Sequence, residues 1–265
     1  VVRINLRKSL FILPNLFTLS SIFCGFYAVV LSGGNPTPDD LYRASLLIIF
    51  AMFFDMVDGR VARLTRTQSA FGVEIDSLAD VVSFGVAPAV LVYAWSLSVL
   101  GTLGVFASFA YVACGAIRLA RFNVLATDTT GRPKKPSKYI LGLPIPGAAG
   151  ILVSLVAANH AVEGELAVRH GVIAAIMFSL SFFMVSTIKF RSFKDLRLSW
   201  RTALLVLLAV GTGVIMAVKL HVAFALGWML TSYVAIGLFE TLIGLSRRLR
   251  RSEREPSEDP LNSGL

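Results

Sequence analysis

Long apolar segments recur along the whole length of this 265-residue chain. Each is about as long as the 17–25 residues that a helix needs to cross the hydrocarbon core of a bilayer. Hydrophobic residues make up 55% of the chain and charged residues 15%, whereas soluble domains carry about 25% charged residues. Because a segment inside a bilayer must satisfy its backbone hydrogen bonds internally, we expect these segments to be helices. The sequence therefore predicts an integral membrane protein.

The apolar segments predict about eight transmembrane helices in an all-α polytopic bundle. The predicted spans lie near Leu13–Leu31, Ala44–Val61, Leu78–Leu97, Thr102–Leu119, Leu143–Ala158, Gly171–Ile188, Thr202–Val218 and Val222–Leu245. Before the first span, residues 1–12 alternate apolar and basic side chains, which is typical of an amphipathic helix lying in the membrane interface. The polar residues after the last span predict a disordered tail.

The basic residues predict the orientation of the chain in the membrane. If the N-terminus faces the cytoplasm, 22 of the 25 lysines and arginines fall on the cytoplasmic side, as the positive-inside rule requires. An even number of spans then places both termini in the cytoplasm. The net charge of +9 is explained by this anchoring and by attraction to anionic lipids. The basic residues are scattered over short loops, which disfavours a nucleic-acid-binding function.

Four aspartates lie inside or beside two of the apolar segments, namely Asp55, Asp58, Asp76 and Asp80. An ionisable group in a membrane span costs about 2.5–3.5 kcal/mol on insertion scales, which makes it a candidate functional group. The first pair is spaced i,i+3 and the second i,i+4, so each pair shares one face of a helix. The second span ends on the same side of the membrane as the third span begins. All four carboxylates are therefore expected to meet at the cytoplasmic boundary.

Such a cluster of carboxylate oxygens suits a hard divalent cation such as Mg²⁺, Mn²⁺ or Ca²⁺. The residues alone leave two alternatives open. The acids could form an ion-pair network with Arg60, Arg63 and Arg66, or they could line the pathway of a divalent-cation transporter. A transporter usually holds such a site near the bilayer midplane between repeats, and here the acids cluster at one face and no repeat is evident.

The acids belong to a longer pattern, D-x-x-D-G-x-x-A-R-x8-G-x-x-x-D-x-x-x-D. It is met without departure by Asp55, Asp58, Gly59, Ala62, Arg63, Gly72, Asp76 and Asp80. This pattern resembles the signature of the CDP-alcohol phosphatidyltransferases, a family of integral membrane enzymes that make phospholipids. The resemblance implies a six-helix core over residues 13–190, an additional transmembrane hairpin over 191–248 and a tail over 249–265. It also implies assembly into a homodimer.

The family resemblance implies a role for each of these residues. Two divalent metal ions, either Mg²⁺ or Mn²⁺, would be held by Asp55, Asp58, Asp76 and Asp80. Asp80 would also act as the catalytic base. The CDP group would be bound by Asp58, Gly59, Ala62, Arg63 and Gly72. The run Pro14-Asn15-Leu16-Phe17-Thr18 resembles the family's P-N-x-x-T element, which implies nucleotide contacts from Asn15 and Thr18.

Three further stretches predict the acceptor alcohol. The run R-L-A-R-F-N from Arg118, the run G-L-P from Gly142 and the stretch from Asp76 to Pro88 together resemble the members of the family that use serine. Arg118 and Arg121 are spaced i,i+3 and are expected to face one pocket, where they bind the acceptor or the lipid phosphate. Simple membrane anchoring is the alternative for this pair, and glycerol 3-phosphate or an inositol phosphate are the alternative acceptors.

The expected function is therefore transfer of the phosphatidyl group from CDP-diacylglycerol to L-serine, with metal-assisted direct displacement of CMP. The expected location is a bacterial or archaeal cytoplasmic membrane, with the active site at the cytoplasmic face. The histidines His160, His170 and His221 fall on the outer side of the predicted topology, so none is expected to be the catalytic base.

Overall fold

The computed structural model describes residues 6–65, 67, 69–126, 139–162, 169–191, 200–219 and 221–252. Within these residues the chain forms a bundle of α-helices, which is consistent with the predicted membrane helix bundle. The helices are α1 Leu6–Ser32, α2 Pro38–Thr65, α3 Ala70–Asp80, α4 Ala87–Trp95, α5 Thr102–Ala126, α6 Ile145–Ala161, α7 His170–Val185, α8 Trp200–Lys219 and α9 Val222–Ser252.

A short antiparallel pair of strands adds to the helices. Strand β1, Tyr139–Leu141, pairs with β2, Lys189–Arg191, so that Ile140 lies opposite Phe190. Only helices were predicted from the sequence. The strands form next to the start of α6 and the end of α7, where backbone groups outside the helices need hydrogen-bond partners. The pair therefore ties these two helix ends together.

The first helix differs from the prediction at its N-terminus. Residues 6–12, which were predicted to form a separate interfacial segment, continue without a break into the first span through Pro14. Residues 1–5 lie outside the described residues. Proline lacks an N–H and clashes with the carbonyl of the preceding turn, so it usually kinks a helix. The location of residues 6–12 in the membrane interface stays a prediction.

Helices α3 and α4 form one continuous helical run that is interrupted by a π-helical segment, Val81–Val86. Pro88 explains this segment, because its ring clashes with the carbonyl of Phe84 four residues earlier in a regular α-helix. The Tyr111 hydroxyl donates to that carbonyl at 3.1 Å and satisfies it. Such π-segments occur frequently at functional sites, and this one begins directly after Asp80.

Each predicted span corresponds to one helix or continuous helical run. Among the described residues, three segments are long and apolar enough to cross a membrane: Pro14–Ser32, Ala70–Trp95 and Thr102–Leu125. Four shorter apolar helices accompany them. Large apolar side chains cover the outside of the bundle, including Phe23, Phe26, Phe50, Phe106 and Phe109. A bundle that is apolar on its outside as well as in its core is typical of an integral membrane protein.

Candidate active site

The C-terminal half of α2 and the whole of α3 carry the four aspartates, which we call the acid cluster (Asp55, Asp58, Asp76 and Asp80). Carboxylate oxygens of Asp55, Asp76 and Asp80 all lie within 4.8 Å of one another. Asp58 lies beside them, near enough to interact electrostatically with Asp55 and Asp76. Helices α2 and α3 thus bring together three of the acids that were predicted from the sequence to meet, with Asp58 beside them.

Helix α1 orients one member of the acid cluster. The Thr18 hydroxyl donates to Asp58 Oδ2 at 2.7 Å, and both residues are at least 95% buried. Thr18 was predicted to contact the nucleotide. Its hydroxyl fixes the Asp58 carboxylate, and the residue also lines the cleft described below, so its contact with the nucleotide stays a prediction. This supporting role was not predicted from the sequence, because the two residues are 40 positions apart.

The inner end of the acid cluster faces a buried arginine. Arg118 of α5 is only 7% exposed, and its positive charge interacts with the carboxylate of Asp80. The carboxyl group of Asp80 also lies close to that of Asp55. Among the described residues, neither Asp80 Oδ1 nor Arg118 Nε has a hydrogen-bond partner, although both atoms are buried.

The acid cluster fits a divalent cation. Three carboxyl groups crowded within 4.8 Å repel one another unless a proton or a cation lies between them. The buried Asp80 Oδ1 has an unused lone pair, which costs free energy unless a ligand occupies it. An all-oxygen donor set is what Mg²⁺ and Mn²⁺ prefer. The described residues therefore hold the donors that a hard cation needs.

The ion-pair network is disfavoured as an explanation of the acids. Among the described residues, neither Arg60 nor Arg63 forms a salt bridge with the acid cluster. Both arginines are exposed, and Arg66 lies outside the described residues. Arg63 does come within electrostatic range of Asp58, so it supplies positive charge at the edge of the cluster without neutralising it.

An open cleft of about 260 Å³ lies beside the acid cluster, between α1, α2, α3 and α5. Its lining includes all seven residues that the family resemblance assigned to the nucleotide: Asn15, Thr18, Asp58, Gly59, Ala62, Arg63 and Gly72. Asp76 also lines the cleft, whereas Asp55 and Asp80 do not. Asp58 and Asp76 therefore connect the cleft to the acid cluster.

Five lining residues of this cleft were not predicted from the sequence: Pro14, Thr67, Ser69, Val73 and Phe122. Ser69 has a clear local role, because its hydroxyl accepts from the Gly72 N–H at 3.0 Å and caps the start of α3. A serine three residues before a helical glycine was the signal for this cap. A Cβ added at Gly72 would lie 3.2 Å from the Ser69 hydroxyl, so glycine allows the capped turn to pack closely.

The two arginines that were expected to share a pocket point to different partners. We call Arg118, Arg121 and the main chain around them the arginine corner. The Arg121 guanidinium donates to the carbonyls of Val185 at 2.7 Å and Ser186 at 3.0 Å, and also to those of Met184 and Leu141 at 3.3 Å. Arg121 thus caps the C-terminus of α7 and holds β1.

Two further contacts join the arginine corner to the rest of the site. The Asn123 side chain donates to the Ser77 hydroxyl at 2.9 Å and links α5 to the helix that carries Asp76 and Asp80. Gly142 has φ of 76°, a conformation that favours glycine, and its position against Arg121 leaves no room for a side chain. The G-L-P run is therefore part of the corner's structure.

His160 and His170 lie at the other end of the bundle from the acid cluster. His160 contacts Asp39 at 3.0 Å near the start of α2, and His170 contacts Ser96 at 2.8 Å. Asp39 and Asp55 are 16 positions apart on one helix, which corresponds to roughly 24 Å at 1.5 Å per residue. Neither histidine is near enough to serve the acid cluster, which agrees with the prediction from the sequence.

Comparison with known proteins identifies the relatives of this chain. A family model described as CDP-alcohol phosphatidyltransferase matches residues 11–249. A CDP-diacylglycerol–serine O-phosphatidyltransferase of Helicobacter pylori is 38% identical over 202 residues, which cover 75% of this chain and 80% of the relative. The enzyme of the same name from Bacillus subtilis is 34% identical over 182 residues, covering 69% of this chain and 91% of the relative. That of Saccharomyces cerevisiae is 40% identical over 149 residues, about half of each chain (52% and 51%).

Proposed function

This chain belongs to the CDP-alcohol phosphatidyltransferase family, and we propose that it transfers the phosphatidyl group of CDP-diacylglycerol to the hydroxyl of L-serine. The products are phosphatidylserine and CMP. One observation carries the proposal: the acid cluster, with three carboxylates within 4.8 Å, adjoins a cleft lined by all seven residues assigned to the nucleotide. The serine acceptor is supported by the relatives, whose names specify serine.

The cleft suits the polar part of a nucleotide-linked lipid. Arg63 at its rim offers a planar fork of N–H donors for phosphate oxygens. Gly59 lines the same wall without a side chain, and a Cβ there would lie 3.6 Å from the Arg63 guanidinium. The cleft opens between α1, α2, α3 and α5, at the proposed cytoplasmic boundary of the membrane. The lipid tails would therefore remain in the bilayer while the cytidine enters from water.

The acid cluster would hold the metal, with Asp55, Asp58, Asp76 and Asp80 as ligands. When bound, divalent cations would supply positive charge that neutralises the pyrophosphate and stabilises CMP as the leaving group. We propose two ions, Mg²⁺ or Mn²⁺. Thr18 keeps one ligand oriented through its 2.7 Å bond to Asp58, and such supporting hydrogen bonds commonly matter for metal affinity.

Asp80 is the catalytic base in this proposal. It accepts the proton of the serine hydroxyl as the serine oxygen bonds to the phosphorus that carries the diacylglycerol, and the bond from that phosphorus to the oxygen of CMP breaks. Its carboxylate lies within electrostatic range of Arg118, the residue that presents the hydroxyl in this proposal. Arg118, next to Asp80, binds the carboxylate of serine and so presents the hydroxyl to Asp80.

The membrane arrangement completes the proposal. We infer eight spans with both termini and the acid cluster at the cytoplasmic face, because this arrangement places 22 of 25 basic residues on one side. Residues 13–190 form the catalytic core and residues 191–248 the additional hairpin, between an interfacial segment, 1–12, and a tail, 249–265. Assembly into a homodimer stays a prediction.

An acceptor panel tests the proposed function. Purified protein in detergent is given CDP-diacylglycerol, Mn²⁺ or Mg²⁺, and one labelled acceptor at a time: L-serine, glycerol 3-phosphate or inositol phosphate. We expect labelled phosphatidylserine and equimolar CMP with serine, and none in excess chelator. Turnover with glycerol 3-phosphate but not serine would overturn the acceptor assignment, and full activity in chelator would overturn the role of the acid cluster.

A further inference from the structure

The last helix packs against the catalytic core through small residues. Gly150 of α6 faces Leu230 of α9, and a Cβ added at Gly150 would lie 2.5 Å from the Leu230 side chain. One turn away, a Cβ added at Gly227 would lie 2.7 Å from the Ser154 hydroxyl. These contacts show that α9 packs closely on α6, and they define the register between the two helices.

This register determines which end of α9 approaches the active site. Along α6 the contacts run from Ser154 back to Gly150, while along α9 they run forward from Gly227 to Leu230, so the two helices are antiparallel. Residues of α9 beyond Leu230 therefore lie beside the N-terminus of α6. That N-terminus follows Gly142, which packs against Arg121. The continuation of α9 thus reaches the arginine corner.

Tyr233 is the polar residue that α9 brings to this position. It follows Leu230 by three residues, so it lies on the same face of the helix one turn further on. Tyr233 is partly buried and packs against the core, and its neighbour Val234 is 8% exposed. The Tyr233 hydroxyl lies within electrostatic range of the Arg118 guanidinium.

Asp80, Arg118 and Tyr233 therefore form a series that crosses from α3 through α5 to α9. Arg118 is the central member, and it interacts with both of the others. It is 7% exposed, and its Nε has no hydrogen-bond partner among the described residues. A buried donor that the protein leaves unpaired is costly and is explained when a ligand supplies the acceptor.

We propose that Tyr233 is a specificity-determining residue of the acceptor site and that it binds, together with Arg118, the carboxylate of a small hydroxy amino acid. This inference rests on the proposed function. A phenol hydroxyl and a guanidinium both donate to a carboxylate, while Asp80 accepts from the hydroxyl of the same molecule. The additional hairpin thereby selects the acceptor, whereas α1, α2 and α3 bind the nucleotide.

The chemistry of the site accounts for selectivity against similar alcohols. A site built to hydrogen-bond a polar group rejects analogues that lack this group, because its buried donors are then left unpaired. Serinol has the hydroxyl and the ammonium group of serine but no carboxylate. We therefore expect the protein to prefer serine to serinol, and we expect this preference to depend on Tyr233.

The test is the variant Tyr233→Phe, which removes only the hydroxyl. We expect its KM for serine to rise about tenfold, the effect of losing one hydrogen bond to a charged group. The KM for CDP-diacylglycerol should stay within about twofold of that of the unmodified protein. The ratio of kcat/KM for serine to that for serinol should fall by about the same factor as the serine affinity, which a merely structural role of Tyr233 would not produce.

Two tyrosines of the same chain serve as matched controls. Tyr111→Phe removes a buried hydroxyl that donates to the Phe84 carbonyl at 3.1 Å, so it should lower thermal stability without changing the serine-to-serinol ratio. Tyr27→Phe alters an exposed residue of α1 and should change neither.

The outcomes separate this inference from the proposed function. If the unmodified protein does not transfer phosphatidyl groups to serine, the proposed function fails and this inference fails with it. If the unmodified protein uses serine but Tyr233→Phe keeps both its serine KM and its preference over serinol within about twofold, the proposed function stands and the inference is overturned. A Tyr233→Phe protein that melts at an unchanged temperature and loses the preference supports it.

Discussion

The acid cluster and the arginine corner each contain a pair of like charges at i,i+3 spacing, but the two pairs behave differently. Asp55 and Asp58 lie within electrostatic range of each other in one cluster, with Asp58 held by Thr18. Arg118 turns inward to Asp80, whereas Arg121 donates to four carbonyls at the end of α7 and on β1. The same spacing therefore gives one joint site in the first case and two separate functions in the second.

Side-chain length explains this difference. Residues at i,i+3 lie on neighbouring positions of a helix face, and a short aspartate side chain keeps its carboxylate near that face. Arginine has a long flexible stem and a fork of donors that adapts to whatever acceptors lie in reach. Spacing thus predicts the location of short charged groups well, while the partner of a long one depends on which distant segments pack nearby.

The largest expected effect is loss of activity on neutralising the acid cluster. Asp76→Asn should lower kcat by about 10²–10³-fold, the range that follows loss of a group stabilising transition-state charge. Its thermal stability in chelator should not fall, because Asp76 is repelled by Asp55 and Asp58 and the substitution removes this repulsion. Initial rates and melting in detergent measure both quantities.

The matched control for this prediction is Asp39→Asn, at the far end of α2. Asp39 contacts His160 and is 74% exposed at its side chain, so the variant should keep near-normal rates. Comparable losses in Asp39→Asn and Asp76→Asn would contradict the assignment of the chemistry to one end of the bundle.

The second effect is on stability and concerns Arg121. Arg121→Ala leaves four carbonyls without their donor, so we expect the free energy of unfolding to fall by about 2–4 kcal/mol, since hydrogen bonds to charged groups contribute about 1.5–3 kcal/mol each and are not additive. Arg121→Lys keeps the charge but not the fork and should lose less. Denaturant unfolding measures the change.

Kinetics of the Arg121→Lys variant then sharpen the comparison between the two arginines. The folded fraction should keep its KM for serine, because Arg121 donates to main-chain carbonyls and we expect it to have a structural role. Unchanged stability together with a raised KM for serine or CDP-diacylglycerol would indicate that Arg121 binds substrate, as the spacing alone had predicted.

The smallest of the three effects concerns the support of the acid cluster by α1. Thr18→Val keeps the shape of the side chain but removes the hydroxyl that donates to Asp58. We expect the Mn²⁺ concentration for half-maximal activity to rise about 10-fold, as is typical when a hydrogen bond to a metal ligand is lost. Ser20→Ala is the control, because Ser20 is partly exposed and its hydroxyl donates to the Leu16 carbonyl of its own helix. Equal effects of the two variants would contradict the proposal that Thr18 supports metal binding by the acid cluster.

Much of the acid cluster and its cleft could be predicted from the sequence. The four aspartates lie close together in the sequence, on two helices joined by a short connection, so local spacing determines which faces meet. The cleft residues Gly59, Ala62, Arg63 and Gly72 come from the same stretch. Helix α1, which precedes α2 in the chain and packs against it, adds Asn15 and Thr18. Here the local pattern and the tertiary structure depend on the same few turns.

The arginine corner could not be predicted in the same way. The partners of Arg121 lie on α7 and β1, 20 to 65 positions away, and Tyr233 approaches Arg118 only because α9 packs on α6. The π-helical segment after Asp80 was also missed, although Pro88 inside a predicted span was its signal. These features depend on packing between distant segments, which spacing along the chain does not determine.

Direct measurement of metal binding tests the central claim, that the acid cluster is a divalent-cation site. Purified protein is titrated with Mn²⁺ in the presence of CDP, and free Mn²⁺ is followed by electron paramagnetic resonance. We predict saturable binding to the unmodified protein and to Asp39→Asn, and much weaker binding to Asp76→Asn. Equal binding by Asp76→Asn and the unmodified protein, or no saturable binding by either, would contradict the account.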